Sequence, residues 1–273
     1  DGIRYLERSR GLGDVYKRQS YICSDITRFM KAVILAAGIG SRLKPITKRI
    51  PKALINLGGK PLIAHSIETL IDHGIHDIII VTGYKSYKIR RFVTENYPEI
   101  SVKFVHNRRY DETNNIYSLH LAIRGLKDPY YILNSDIVYH PDIFRRLHEC
   151  EKENLTISVD LREDLGEEEM KVVIRGDRVV KISKKIDPII AHGEYIGITK
   201  VTENSIGKLK NAISETISIY GKGVFYEHAF QKLIDNGGII NYAPTSGLPW
   251  TEIDDMDDLI YAKKVVYPEI MSK

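Results

Sequence analysis

From residue 30 onward, short apolar runs rich in β-branched residues alternate with longer stretches whose apolar positions recur every three to four residues. The runs at 32–35, 77–81, 102–105 and 130–133 have the length and composition of buried strands. Between and after them, 62–71, 87–96, 116–124 and 141–149 have the period of helices. Each span between strands is long enough for a helical crossover, so the pattern predicts parallel strands covered on both faces. Thr113, Asn114 and Asn115 are good capping residues for the helix at 116–124. Past residue 150 the texture changes. Alternating segments at 156–161, 170–174, 178–182 and 195–199, with turn signals such as Gly176-Asp177, predict antiparallel strands added at the edge of the sheet. Helices follow at 203–217 and 224–235, then a strand at 239–242 and a last helix at 256–265. The expected fold class is α/β, a mixed but mostly parallel sheet flanked by helices with an antiparallel edge insertion.

Residues 1–29 do not share this pattern. They carry Gly11, Gly13 and six basic residues without a period, lack the apolar core of a signal peptide, and include a run from Gly11 to Gln19 that resembles a translated sequencing adapter. They read as a non-native or disordered extension, with Met30 as the start of one domain over 30–273. Of the 273 residues, 43% are apolar and 28% charged, which excludes a mainly disordered chain. No apolar run approaches the ~20 residues that span a bilayer, so no membrane partner is expected. The net charge of +4 falls to +2 when residues 1–29 are left out, far from the clustered basic surface of a nucleic-acid binder. Small anionic ligands remain. Cys23 and Cys150 allow at most one bridge, and so little cysteine reads as cytoplasmic.

The chemistry begins after the first strand. Leu35, Ala36, Ala37, Gly38, Gly40, Ser41 and Arg42 form a small-residue loop in which backbone N–H groups can approach an anion, and Pro51-Lys52-Ala53-Leu54 follows. The dinucleotide fingerprint would need glycine at Leu43, and the P-loop pattern would need Gly-Lys followed by Ser or Thr. Neither hydride transfer nor P-loop hydrolysis is indicated. The stretch 30–63 resembles instead the signature of the nucleotidyltransferases that join a nucleoside triphosphate to a phosphorylated small molecule. The resemblance extends over 30–268 and implies a Rossmann-like, nucleotide-diphospho-sugar transferase-like fold. It also implies that the Ala-Ala-Gly loop cradles the nucleotide, that Arg42 grips the triphosphate, and that Lys52 lies between the two phosphates.

Joining two anions demands divalent metal and fixed cations more than a general base. A phosphate monoester is already mostly deprotonated at neutral pH, so no catalytic histidine is required. Mg²⁺ takes one or two carboxylates plus phosphate oxygens and waters. Asp136 follows the strand at 130–133, at the edge where open α/β sheets place ligands, and Asp254 precedes the last helix. Both match the family's metal-binding aspartates, so Arg42, Lys52, Asp136 and Asp254 are the expected catalytic set. Bland readings exist: Asp136 as a turn residue, and Asp254 or Asp255 as a helix cap.

The segment from Asn114 through Asn115 and Tyr117 to Leu119, the pair Gly83-Tyr84, and Glu252-Ile253-Asp254 are similar to the phosphocholine cytidylyltransferase branch. The resemblance implies CTP as donor and a small phosphorylated alcohol as acceptor, with Asn115, Gly83 and Tyr84 on the nucleotide and Tyr117 and Glu252 near the acceptor. Where choline-specific relatives resemble Glu-Trp, this chain has Glu169-Met170 followed by Lys171. With Glu194, Lys171 resembles the 2-aminoethylphosphonate cytidylyltransferases, in which a phosphonate and a primary amine are read. Asn114 and Asn115 can equally be caps, and Lys171 and Glu194 exposed strand-end charges. Inositol phosphate is a third acceptor. A sugar-1-phosphate nucleotidyltransferase using UTP, dTTP or GTP is the alternative enzyme, and a non-catalytic nucleotide-binding module the alternative of another class. His73 and His76 flank a turn and read as solvated rather than as zinc ligands. The acidic run 167–169 reads as a flap, and Trp250 as packing.

Overall fold

The computed structural model describes residues 30–272, so the reading of 1–29 as an extension lies outside the described residues. The chain opens with β1 (Lys31–Ala36), then a two-residue hairpin of β2 (Asn56–Leu57) and β3 (Lys60–Pro61). Three crossovers follow: α1 (Leu62–Asp72), β4 (Asp77–Thr82), α2 (Ser86–Asn96), β5 (Ser101–His106), α3 (Asn115–Ile123) and β6 (Tyr130–Asn134). Next come β7 (Ile137–Tyr139), α4 (Pro141–His148), β8 (Leu155–Asp160), β9 (Lys171–Arg175), β10 (Arg178–Ser183) and β11 (Gly193–Val201). The chain continues through α5 (Glu203–Tyr220), α6 (Glu227–Asp235), β12 (Ile240–Pro244) and β13 (Trp250–Glu252). It finishes with α7 (Met256–Tyr261), a π-helical turn Ala262–Val266 and α8 (Tyr267–Ser272).

Nine strands form one sheet in the order β5-β4-β1-β6-β11-β8-β12-β10-β9. Strands β5, β4, β1 and β6 are parallel, as their alternation with helices requires. The near-continuous apolar run of β1 is explained by burial on both faces. Val33 and Leu35 join one core with α3, α5 and α6, while Ala32, Ile34 and Ala36 join the other with α1, α2 and α4. A third, smaller core packs Leu43, Ile55 and Leu57 against Ile253, Leu259 and Ala262, clamping the segment after the glycine loop to the chain's last helices.

The edge-insertion expectation needs one correction. β9 and β10 end the order, and β9 also turns back to pair with the start of β11, Gly193 opposite Val172; β11 inserts beside β6, and β12 runs parallel to β8 inside the sheet. Alternation alone does not say where a strand enters a sheet. The last helix runs past its expected end at 265: a π turn at Ala262–Val266 interrupts it, and α8 carries it on to Ser272. His73 takes no part in a metal cluster: its Nδ1 lies 2.8 Å from the Thr69 carbonyl and its ring packs edge-on against Phe144. Among the described residues, no helix is long and apolar enough to cross a membrane.

Candidate active site

Three stretches converge at the carboxyl ends of β1 and β6. Gly40 adopts a left-handed conformation (φ 64°), and a Cβ there would stand 3.0 Å from the Lys52 Cβ. The glycine loop therefore folds directly onto the Lys52 turn, held by a bond from Thr47 Oγ1 to the Gly40 carbonyl (2.8 Å). Asp136 occupies the turn between β6 and β7. Strand β7 pairs with β13, setting Ile137 opposite Glu252, and the Ile253 amide donates to the Asp136 carbonyl (2.9 Å). This short ladder brings residues more than a hundred positions apart into one cluster. The capping role at α7 falls to Asp255, which accepts from the Asp257 and Asp258 amides, while Asp258 accepts from the Asp254 amide (2.8 Å). The Asp254 side chain is thereby left to the cavity.

Lys52 Nζ lies 2.7 Å from Asp136 Oδ2 and 2.6 Å from Asp254 Oδ1, and Arg42 Nη2 lies 2.6 Å from Asp254 Oδ2. Burial opposes the Lys52 charge, but Asp136, Asp254 and Glu252 outweigh it and hold the ammonium above its usual range. Asp254 shows the mirror effect, since Lys52 and Arg42 overcome its partial burial and keep its carboxyl below the ordinary value. Glu252 is raised by lost hydration on its cavity side and by the neighbouring Asp136 and Asp254.

Carboxylate oxygens of Asp136, Glu252 and Asp254 lie within 4.8 Å of one another. Asp136 Oδ1 is buried without a hydrogen-bond partner. An orphaned carboxylate oxygen within a cluster of hard oxygen donors fits a divalent cation such as Mg²⁺.

The cavity around this cluster has a volume of about 400 Å³, the size of a small-ligand site. One wall is the end of β1, Leu35 to Gly38, with Asn107, Tyr110 and Asn115; a Cβ on Gly38 would meet nothing within 4 Å. The opposite wall comprises Met170, Lys184, Glu194, Phe225 and Glu227. Glu194 is buried against Arg162, its Oε2 2.6 Å from the guanidinium; burial, with Glu169 and Asp160 nearby, pushes its carboxyl up to about 7 despite that pairing. Glu168 pairs with Lys184 (3.3 Å).

Of the residues singled out in the sequence, Leu35, Ala36, Ala37, Gly38, Arg42, Lys52, Asn115, Asp136, Met170, Glu194, Glu252 and Asp254 line this cavity. Gly40, Ser41, Gly83, Tyr84, Tyr117 and Lys171 do not. Gly83 is a close-packing position, where a Cβ would fall 2.5 Å from Tyr110 and 2.6 Å from the Ala37 carbonyl. Tyr84 stitches its amide to that carbonyl (3.2 Å). Tyr117 stacks on His120 and carries Lys222 over its ring. Lys171 is buried and spends its ammonium on the carbonyls of Gly166 (2.7 Å), Glu167 and Glu169, so it tethers the acidic flap instead of facing a substrate. Trp250 packs partly against the core and also borders an adjoining cleft. Lys184, Phe225, Glu227, Asn107 and Tyr110 were not singled out; no local motif marks them, and only the topology assembles them.

The profile of the nucleotidyl transferase family matches residues 31–263. The choline-phosphate cytidylyltransferase of Streptococcus pneumoniae is 42% identical over 116 residues, covering 42% of this chain and about half of that relative's length (48%). The CTP:phosphoglutamine cytidylyltransferase of Campylobacter jejuni is 30% identical over 262 residues, covering 84% of this chain and 98% of the relative. Among solved structures, a CTP:phosphocholine cytidylyltransferase from Streptococcus pneumoniae superposes with a TM-score of 0.73 at 27% identity, covering 86% of this chain and 98% of the other.

Proposed function

The chain belongs to the nucleotidyl transferase family, and on that premise we propose that it transfers CMP from CTP to a small phosphorylated or phosphonylated alcohol, releasing pyrophosphate. The observation that carries this reading is the Lys52 ammonium held between Asp136 and Asp254, with Arg42 alongside, at the mouth of the small-residue loop. The choice of CTP is supported by the cytidylyltransferases among the relatives.

In this reading an oxygen of the acceptor's phosphate forms the new bond to the α-phosphorus while the bond to the pyrophosphate oxygen breaks. Lys52, nearly buried and firmly protonated, bridges the two phosphates at the cluster's centre. Arg42, with 60% of its side chain exposed, reaches the triphosphate from the open side. Both exchange carboxylate partners for phosphate oxygens, a like-for-like replacement of anions. Asp136 and Asp254, with Glu252 beside them, would hold a Mg²⁺. When bound, that ion neutralises charge on the reacting phosphates. The β1 loop supplies the nucleotide wall, and the open space beside Gly38, where a Cβ would meet nothing within 4 Å, leaves room for the ligand.

Pyrophosphate release from CTP in the presence of an acceptor such as 2-aminoethylphosphonate or phosphocholine tests this reading. Release is expected to stop on chelation and return on adding Mg²⁺. Transfer that continues at full rate with divalent ions removed contradicts the assigned carboxylate role.

A further inference from the structure

The cavity is lined by six acidic side chains, and five have a charge partner or a place in the acidic cluster. Asp136 and Asp254 face Lys52 and Arg42, Glu168 faces Lys184, Glu194 faces Arg162, and Glu252 joins the two aspartates. Glu227 is the exception. It is the first residue of α6, is 5% exposed, and among the described residues forms no ion pair. Its Oε2 is buried with no hydrogen-bond partner. Burial pushes its carboxyl up to about 7 against the more distant attraction of Lys184, and a cation in contact with it would favour the ionised form.

Resting on the transfer reaction proposed above, we propose that Glu227 receives the cationic end of the acceptor and that it selects a primary ammonium over a quaternary one. A primary ammonium brings three N–H donors, one of which can satisfy Oε2. A quaternary ammonium brings none. It would leave the carboxylate oxygen both desolvated and unbonded, and must be held by aromatic faces instead.

Those faces are not assembled here. Three aromatic side chains line the cavity: Tyr110, Tyr195 and Phe225. Tyr110 stands on the opposite wall, packed against Tyr84. Tyr195 is locked in the core, its hydroxyl bonded to Thr199 (2.7 Å) and Tyr226 (2.8 Å) and its ring edge-on to Phe230. The Phe225 ring already carries the Lys184 ammonium 5.3 Å from its centroid. The remaining apolar neighbours on that side are Met170 and Ile196, which offer no π face.

The test compares 2-aminoethylphosphonate and phosphoethanolamine with phosphocholine, and with the uncharged 2-hydroxyethylphosphonate, in steady-state transfer from CTP. Calorimetric titrations against the enzyme holding Mg²⁺ and a non-hydrolysable CTP analogue run in parallel. Both primary amines are expected to exceed phosphocholine by about tenfold or more, the scale of one unmet buried acceptor. Glu227→Gln is expected to lower the ratio of 2-aminoethylphosphonate to 2-hydroxyethylphosphonate by a similar factor. Equal or better use of phosphocholine overturns the inference, as does an unchanged ratio in a folded Glu227→Gln variant. If that variant does not fold, the preference of the unmodified protein decides. If no transfer occurs with any acceptor, the reaction reading fails on its own, and the calorimetric order of affinities still judges the subsite. Binding of none of the four overturns the subsite as well.

Discussion

At the scale of single residues, the site is a contest among buried charges. Lys52 is tolerated in a nearly dry position because two carboxylates stand within 2.7 Å of it. Removing Asp136 leaves Lys52 half-paired and takes a carboxylate from the acidic cluster. Asp136→Ala is expected to cut pyrophosphate release by about 10²–10³-fold, checked at saturating Mg²⁺; a rate near that of the parent would refute the role. Glu227 yields a prediction about stability. Its folded-state pKa of about 7 lies above the ordinary glutamate value of 4.5, so the folded protein binds the extra proton between those values. Stability from that proton is complete below pH 4.5 and is lost as pH rises through 7. Glu227→Gln is therefore expected to gain in Tm on the parent between pH 5 and pH 8, measured by thermal melts; a constant difference would contradict the burial argument. Arg42, Lys52, Asp136 and Asp254 were legible in the sequence because each sits beside a strong local signal, a glycine loop, a strand end or a helix start. Lys171 was not placed correctly from sequence. Strand alternation says which face a residue takes, but not that a long side chain will turn back onto a loop's carbonyls.

At the scale of elements, the loop at 221–226 joins the two walls of the cavity. It docks on the first turn of α3 through the Asn114 amide to the Lys222 carbonyl (2.8 Å), the Tyr226 amide to Asn115 Oδ1 (2.9 Å), and Lys222 over the Tyr117 ring. The cap at α3 is Asn114, whose side chain accepts from the Asn115 amide, so the neighbouring asparagine is free for this tether. The sequence offered capping and ligand contact as alternatives for this pair; Asn114 caps, while Asn115 tethers the loop and lines the cavity. Asn115→Ala is expected to raise KM for both nucleotide and acceptor by about tenfold, the cost of one hydrogen bond to a buried group. Asn115→Asp keeps an acceptor for the Tyr226 amide and should restore the acceptor KM. Steady-state kinetics of the two variants decide this; unchanged acceptor KM in Asn115→Ala would uncouple the loop from the site. A second element-level device is the irregular register of β11. Gly197 lies there at φ 86°, and a Cβ would fall 2.7 Å from Asn134 Nδ2. Nothing in the run of β11 residues announces this approach, because its cause is the neighbouring strand.

At the scale of the molecule, the parallel half of the sheet was legible almost strand for strand, since buried parallel strands and amphipathic helices leave opposite periodicities. The other half was legible as strands but not as an order. Insertion of β11 beside β6 depends on long-range pairing that local pattern does not encode, and it is this insertion that brings Glu194 to the cavity. The β7–β13 ladder was likewise invisible, being three residues long on each side. The proposed reading assigns nucleotide contacts to the β1 side and acceptor contacts to the β11 and α6 side, with the acidic cluster between them. Its central claim is cytidylyl transfer, and competition among donors tests this most directly. With equimolar CTP, UTP, dTTP and GTP, Mg²⁺, and a mixture of 2-aminoethylphosphonate and glucose 1-phosphate, mass spectrometry of the adducts identifies nucleotide and acceptor together. The account predicts a CMP adduct of the phosphonate with equivalent pyrophosphate. A UMP, dTMP or GMP adduct of the sugar phosphate in its place would contradict it.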